Sequence, residues 1–267
     1  RLPGEPDLRK QAGEQSAIRD PDLKARDPQR LKQMVDDEHR LQILYTQIDR
    51  DAANRPIFRS FSHGLTDAYF FPASTVKLPA AILALEKLND LAVPRLFRDT
   101  PLRIEAGTAA QTAVERDPTK GDGLPTIAHY IKKVFLVSDN DAFNRLYEFL
   151  GQKEINERLW RRGFTDARIL RRLEAGLDPE ENRLTNPFVF FEGERVLHRQ
   201  PLVRNPEAWT IERPEVRQGR GFIRDGKLVE RPFDFSHSNY LSVGSLQGIL
   251  RSVLFPEAAP TGGRFGL

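Results

Sequence analysis

The chain has 267 residues, of which 39% are hydrophobic and 30% are charged, so it can bury a substantial core in one large domain or two small ones. Its 41 basic and 38 acidic residues give a formal charge of +3, with no dense block of lysine and arginine, so nucleic-acid binding is weakly favoured at best. The absence of cysteine excludes disulfides and thiol catalysis.

The beginning of the chain predicts a lead-in rather than a packed core. Residues 1–38 are dense in both charge signs and poor in apolar positions, with one predicted helix around 28–40. No signal peptide is visible, and the chain starts at Arg1 rather than Met, so an upstream segment could have been removed. No apolar run approaches the roughly 20 residues that cross a bilayer.

From Leu41 the sequence predicts a β-hairpin followed by a long helix. The runs LQILYTQID and PIFRSFSH are rich in strand formers, and residues 49–55 supply the turn between them. After Pro72, apolar residues recur at helical spacing and predict a buried helix of about five turns that begins near Ser74. These apolar residues are Leu78, Ala81, Ile82, Leu85 and Leu88.

The rest of the chain predicts three more helices, a β-rich insertion and a last helix. Residues 126–137 carry a helical apolar stripe, SDND interrupts it, and AFNRLYEFLG and INERLWRRGF continue as helices. Residues 188–235 predict a β-rich or loop insertion, in which FIRDGKLV is a hairpin with Asp225-Gly226 in its turn. Helical spacing returns over residues 241–253, so the fold class is α/β or α+β with a helical bulk.

Ser74 and Lys77 form the first candidate site. Three residues apart on a helix, they lie one turn apart on the same face. Serine needs a base to become a nucleophile, and a lysine with a lowered pKa can be that base. The alternative is a helix-capping serine and a solvated lysine, but Lys77 lies within an apolar stretch, which predicts that it is buried.

Ser138-Asp139-Asn140 is the second candidate, at the junction of two predicted helices. All three residue types cap helices well, so a capping role is one interpretation. In the other, Ser138 relays protons and Asn140 holds a substrate amide.

The two motifs in this order make the chain similar to the class A β-lactamases and penicillin-binding proteins, which carry S-x-x-K followed by S-D-N. Their context also resembles that family, because a hairpin precedes the first motif and SDN-x-A-x-N opens the next helix. The resemblance extends more weakly to LTNP at 184–187. It implies an α/β (α+β) β-lactamase/transpeptidase-like fold, with an antiparallel sheet and a helical subdomain, over residues 39–267.

The resemblance also implies roles for single residues. Ser74 would be the acylated nucleophile and Lys77 its base, Ser138 would pass the proton to the leaving nitrogen, and Asn140 would contact the substrate amide and position Lys77. The backbone N–H of Ser74 would be one oxyanion donor. For the carboxylate that activates the deacylating water, Glu174 is the first candidate; Glu180 and Glu181 are rivals, and none of the three lies in a clean E-x-x-L-N pattern.

The third motif of the family, K-[TS]-G, is not found after Ser138. Thr119-Lys120-Gly121 precedes Ser138, and APTGG at 259–263 has Pro260 where the lysine belongs. We therefore expect the closing strands of the sheet to lie beyond Leu267. Without them the site would lack one wall, one oxyanion donor and the anchor for the substrate carboxylate, and this chain alone could be inactive.

Three functions stay open. The first is a β-lactamase-like serine hydrolase that opens a β-lactam amide through an acyl-enzyme on Ser74. The second is a D,D-peptidase acting on cell-wall peptides, and the third is a non-catalytic binding module that uses the 188–235 insertion. The expected partner is a small β-lactam or cell-wall peptide, with no nucleic acid, in the periplasm, the cell envelope or outside the cell. We expect no cofactor and no metal, since the histidines lack metal-like spacing.

Overall fold

A computed structural model describes residues 40–109, 111–224 and 226–267 of the chain. The charged lead-in predicted over residues 1–38, with its helix around 28–40, lies outside these described residues, apart from Arg40.

The described part begins with the predicted hairpin. Strands β1 (Ile43–Arg50) and β2 (Pro56–His63) pair antiparallel in register from Ile43 opposite His63. The turn is held by Asp51, whose side chain accepts hydrogen bonds from the backbone N–H groups of Ala53 and Arg55. The hairpin prediction is therefore confirmed.

Four helices form the bulk of the core. They are α1 (Lys77–Leu91), α2 (Ile127–Val137), α3 (Asn140–Leu150) and α4 (Gln152–Arg161). Helix α1 runs through the centre, with Ala80, Leu83 and Ala84 fully buried. It is about four turns long and starts at Lys77, whereas the sequence predicted about five turns from Ser74.

A three-stranded antiparallel sheet covers one side of these helices. It consists of β3 (Leu102–Ile104), β6 (Phe188–Glu192) and β7 (Arg195–Gln200), with β6 in the middle. Phe188 and Phe190 point into the core and pack against Phe149 of α3, with ring centroids 5.5 Å apart in both pairs. Phe188 and Phe190 are therefore core residues.

The remaining strands are short and antiparallel. Residues 168–204 contribute β4 (Arg168–Ile169), the one-turn helix α5 (Pro179–Asn182), β5 (Leu184–Thr185) and β8 (Val203–Arg204). The later part contributes β9 (Arg217–Gln218), β10 (Phe222–Arg224), β11 (Lys227–Val229), β12 (Phe233–Asp234) and β13 (Asn239–Tyr240). Strands β10 and β11 are the hairpin that FIRDGKLV predicted.

The segment between β8 and β13 packs beside the approach to Ser74. Tyr69 is fully buried in a second small core, where its ring stacks on Phe235 and its backbone N–H donates to the carbonyl of Pro214. The hydroxyl of Tyr69 donates to the carbonyl of Asn239 at 2.9 Å. Burial raises the pKa of Tyr69 to about 12, so this hydroxyl stays protonated and keeps donating.

The last helix, α6 (Val243–Leu254), packs on one face of the β1–β2 hairpin. Thr46 donates to the Gln247 side chain at 2.8 Å, and the ring of Phe58 lies edge-on to Phe255. After α6 the chain forms short 3-10 turns at Pro256–Ala258 and Thr261–Gly263. APTGG is therefore a turn and not a strand, as Pro260 indicated.

The fold thus has the predicted class: mixed α and β, with antiparallel sheets and a helical bulk. Among the described residues no helix combines the length and apolarity needed to span a membrane. The expectation that closing strands lie beyond Leu267 stays a prediction.

Candidate active site

Ser74 lies in a tight turn that ends where α1 begins. The chain enters this turn through Ala73, whose φ of +46° is left-handed, and residues Ala73–Val76 form one 3-10 turn. Thr75, not Ser74, makes the local side-chain bond, with its hydroxyl 2.6 Å from the carbonyl of Pro72. The exposed Ser74 side chain makes no helix-capping hydrogen bond, so the capping interpretation of Ser74 is wrong.

The Lys77 ammonium lies at the centre of the site. The residue is only 3% exposed, as its apolar neighbourhood predicted. Its Nζ lies 3.0 Å from the Ser74 Oγ, 3.0 Å from the Ser138 Oγ, 2.5 Å from the Ser138 carbonyl and 2.6 Å from the Asn140 Oδ1. Both sequence motifs therefore meet at one nitrogen atom.

These four partners suit a neutral amine. The Ser138 carbonyl and the Asn140 Oδ1 can only accept, and they occupy the two N–H groups of an uncharged lysine. The nitrogen lone pair is then free to accept a proton from a serine hydroxyl. Burial lowers the pKa of Lys77, while the charges of Asp139 and Glu174 partly oppose this shift.

The Ser138-Asp139-Asn140 turn both caps a helix and builds the site. Helix α2 ends at Ser138, whose φ of +54° turns the chain, and Asp139 caps α3 by accepting from the backbone N–H of Ala142 at 2.8 Å. This sharp turn directs Ser138 and Asn140 to Lys77, and the Ser138 Oγ lies 3.1 Å from the Ser74 Oγ. The capping interpretation is thus realised by Asp139, and the proton-relay role of Ser138 and the substrate role of Asn140 stay predictions.

An ion-pair chain that the sequence did not predict supports this turn. Lys133 lies 3.2 Å from the Asp117 carboxylate and 3.4 Å from that of Asp139. Asp117 also accepts two bonds from Thr119, whose hydroxyl contacts His129. The Thr119-Lys120-Gly121 triplet is therefore a turn around Asp117, and His129 contributes to the same turn.

Glu174 is the candidate glutamate whose charge acts on Lys77, after the larger effect of Asp139. Its charge raises the Lys77 pKa, which places the two groups within electrostatic reach of each other. Glu174 is exposed and has a φ of +53°, a conformation that costs energy for a residue with a side chain. The preceding residue, Leu173, is bound by the side chain of Asn144. The Asn144 Oδ1 accepts from the Leu173 N–H at 2.8 Å, and the Asn144 Nδ2 donates to the Leu173 carbonyl at 2.9 Å.

The two rival glutamates are engaged elsewhere. Glu180 pairs with Arg183 and with Arg204. Glu181 forms a capping box with Asp178 at the start of α5. The pattern of Asp178, Pro179 and Glu181 is itself a sequence signal for such a box, and it would have removed Glu181 from the candidates.

No metal site accompanies the cluster: over 40–109, 111–224 and 226–267, no group of three or more His, Cys, Asp or Glu side chains could hold an ion. The chemistry that the arrangement supports is proton transfer among a serine, a lysine and a second serine, with a carboxylate nearby.

Comparisons with known proteins identify one matching family and one similar solved structure. Residues 59–191 match the β-lactamase enzyme family, and this range contains Ser74, Lys77, Ser138, Asn140 and Glu174. The solved structure titled "Crystal structure of L2 complexed with relebactam (16 hour soak)" is similar at 22% identity and a TM-score of 0.35. The similarity covers 52% of this chain and 48% of that one. No curated protein matches the chain. Over residues 59–191, the chain belongs to the β-lactamase enzyme family.

Proposed function

We propose that this protein is a serine hydrolase that opens a β-lactam amide through an acyl-enzyme on Ser74. The observation that carries the proposal is the position of the buried Lys77 nitrogen, within 3.0 Å of two serine hydroxyls. When Lys77 is neutral, the Ser138 carbonyl and the Asn140 Oδ1 accept from its two N–H groups, and its lone pair is left for the nucleophile. Family membership supports a hydrolase, and the specific reaction is our inference from the site.

In acylation, Ser74 Oγ attacks the lactam carbonyl carbon while neutral Lys77 takes the hydroxyl proton. The carbonyl electrons move to the oxygen, which the backbone N–H of Ser74 stabilises as one oxyanion donor. When the electrons return, the C–N bond breaks. Ser138, which lies 3.0 Å from Lys77 Nζ, passes a proton to the leaving nitrogen and regains one from Lys77. The product is an ester on Ser74 with neutral Lys77 restored.

In deacylation, Glu174 takes a proton from a water molecule as the water oxygen attacks the ester carbonyl carbon. The ester C–O bond then breaks, and Ser74 Oγ leaves with a proton that Glu174 has received. We assign Glu174 this role because its charge reaches Lys77, while Glu180 and Glu181 are bound to Arg183, Arg204 and the start of α5. Asn140, whose Oδ1 is bound to Lys77, can present its amide N–H₂ to the substrate.

Turnover of a chromogenic cephalosporin by the full-length protein tests the proposal. We expect a burst of one equivalent or less followed by steady-state hydrolysis, and no reaction in Ser74→Ala. A burst without turnover would indicate the D,D-peptidase instead, because that enzyme uses the same acylating residues but releases β-lactams slowly. Neither a burst nor steady-state hydrolysis would indicate the non-catalytic module. The location outside the cytoplasm stays a prediction.

A further inference from the structure

The backbone that leads to Glu174 is held by asparagine side chains rather than by a strand. Residues 169–173 pair with another strand only at Ile169, which is opposite Asn239. Elsewhere this segment would leave its backbone N–H groups without partners, and buried N–H groups need them. Four buried asparagines from four different elements supply these partners.

The first two asparagines bind residues 169–171. Asn156 of α4 accepts from the N–H of Ile169 at 2.8 Å and donates to its carbonyl at 2.9 Å. Asn239 of β13 accepts from two consecutive N–H groups, of Leu170 at 2.8 Å and of Arg171 at 3.0 Å, and donates to the Arg171 carbonyl at 3.1 Å.

The other two asparagines bind residues 172 and 173. Asn182 of α5 accepts from the N–H of Arg172 at 2.8 Å. Asn144 of α3 binds both backbone groups of Leu173. Every N–H from 169 to 173 thus donates to an asparagine Oδ1; we call this set Asn144, Asn156, Asn182 and Asn239 the asparagine ladder.

The asparagine ladder holds the backbone of residues 169–173 in one position. Its members are at most 9% exposed, and Asn156 and Asn239 are not exposed at all. A carboxamide offers an acceptor and a donor on one planar group and does not titrate, so this hold is independent of pH. The ladder ends one residue before Glu174, whose left-handed backbone persists only if its surroundings fix it.

Asn239 connects the two halves of the site. Its side chain holds Leu170 and Arg171 on the Glu174 side, and its carbonyl accepts from the Tyr69 hydroxyl on the Ser74 side. Tyr69 lies five residues before Ser74 in the chain. The segment that follows β8 therefore contributes a residue that contacts both approaches to the reaction centre.

We propose that the asparagine ladder consists of positioning residues for deacylation: it fixes Glu174 relative to Ser74, and Asn239 is its central member. The inference rests on the proposed function, because it assigns the ladder to the water-activating carboxylate. The proposal predicts different effects on the two half-reactions. Acylation uses Ser74, Lys77 and Ser138, and the asparagine ladder does not bind to these residues.

The test compares the two half-reactions in Asn239→Leu and in a matched control. Asn239→Leu keeps the volume but leaves the N–H groups of Leu170 and Arg171 without an acceptor. We expect acylation within about threefold of wild type and deacylation slower by about 10- to 100-fold, because a shift of about 1 Å in a catalytic group has an effect of this size. Asn239→Asp keeps both acceptor bonds and is expected to lie between Asn239→Leu and wild type.

Asn186→Leu is the control. Asn186 is 2% exposed and donates to the carbonyls of Glu105 at 3.1 Å and Thr112 at 3.0 Å, outside the ladder. We expect it to lower stability without selectively slowing deacylation. If Asn239→Leu does not fold, Asn144→Ala, at the most exposed rung, replaces it with the same expected selectivity. Hydrogen exchange should show faster exchange over 169–173 in either ladder variant and unchanged exchange there in Asn186→Leu.

The outcomes are distinct. Selective loss of deacylation with faster exchange supports the proposal. Unchanged deacylation, or equal slowing of both half-reactions as in the control, overturns it while the proposed function stands. If wild type acylates but does not turn over, the deacylating role of Glu174 and of the ladder is overturned, and only acylation survives. If wild type forms no adduct, the proposed function itself fails.

Discussion

Lys133 and Asp139 form an ion pair beneath the turn that carries Ser138, with 3.4 Å between the Lys133 Nζ and an Asp139 carboxylate oxygen. The pair matters because the Asp139 charge raises the pKa of Lys77. Lys133 counters that charge, and it is itself held by Asp117 at 3.2 Å. Lys133 thus limits how far the Asp139 charge raises the pKa of Lys77.

Replacing Lys133 with methionine is expected to slow acylation, increasingly so as the pH falls. Without the positive charge, Asp139 stabilises protonated Lys77 more strongly, so less neutral amine is present. A partly exposed ion pair is worth ~1 kcal/mol, which corresponds to about fivefold in rate. The measurement is the rate of labelling by a fluorescent penicillin as a function of pH. Lys132→Met, at the exposed position next to it, is the control, and identical pH profiles in the two variants would refute this role.

Replacing Lys77 with methionine is expected to lower the acylation rate by about 10²–10⁴, the usual contribution of a general base. It should also change how stability depends on pH. Burial lowers the Lys77 pKa below 10.5, so between the lowered and the ordinary pKa the unfolded chain binds more protons than the folded one. The free energy of unfolding of wild type should therefore rise relative to that of Lys77→Met as the pH is raised towards 10.5.

Urea unfolding of both proteins at several pH values measures this difference. Subtracting the variant removes the contribution of Lys87, the pKa of which burial also lowers. A difference that does not change with pH would show that folding does not lower the pKa of Lys77.

Replacing Glu174 with glutamine is expected to leave acylation intact and to slow deacylation by about 10²–10⁴, since the amide cannot take a proton from water. Mass spectrometry should then find the acyl-enzyme accumulating. Glu180→Gln is the matched variant in the same loop, since its carboxylate is bound to Arg183 and Arg204. Equal turnover by wild type and Glu174→Gln would remove Glu174 from the mechanism.

Replacing Arg172 with methionine is expected to destabilise the fold by about 3 kcal/mol, because the buried Glu148 loses a partner. The two side chains are 3% and 6% exposed, and the Arg172 Nε lies 2.9 Å from the Glu148 carboxylate. Arg204→Met is the comparison: its pair with Glu180 is 59% exposed on both sides, so its loss should cost under about 1 kcal/mol. Denaturant midpoints measure both, and equal small losses would contradict the expectation.

Within each of the two motifs the geometry is local, so the sequence could predict it. Ser74 and Lys77 are one helical turn apart. The SDN triplet lies at the junction of two helices, where Ser138 and Asn140 are close together in the chain. That the two motifs meet at Lys77, 61 residues before Ser138, was predicted only from the resemblance to the family. The first residue of α1 was harder to predict. Residues Ala73–Val76 form a 3-10 turn before the helix, and the spacing of apolar residues does not distinguish such a turn from an α-helix.

The supporting groups were not predictable because their partners are distant in the chain. Asn156 and Asn239 lie in different elements and both bind residues 169–171. No periodic pattern in the sequence predicts such a contact. Lys132 and Lys133 are indistinguishable in sequence, and only the packing of α2 decides which of them faces Asp117 and Asp139.

The most direct test of the account is to locate the acyl group. The full-length protein is treated with a fluorescent penicillin, digested, and the labelled peptide is sequenced by tandem mass spectrometry. The account predicts one adduct per chain, on Ser74, that is absent from Ser74→Ala. An adduct on Ser138, an adduct that persists in Ser74→Ala, or no adduct on the wild type would contradict it.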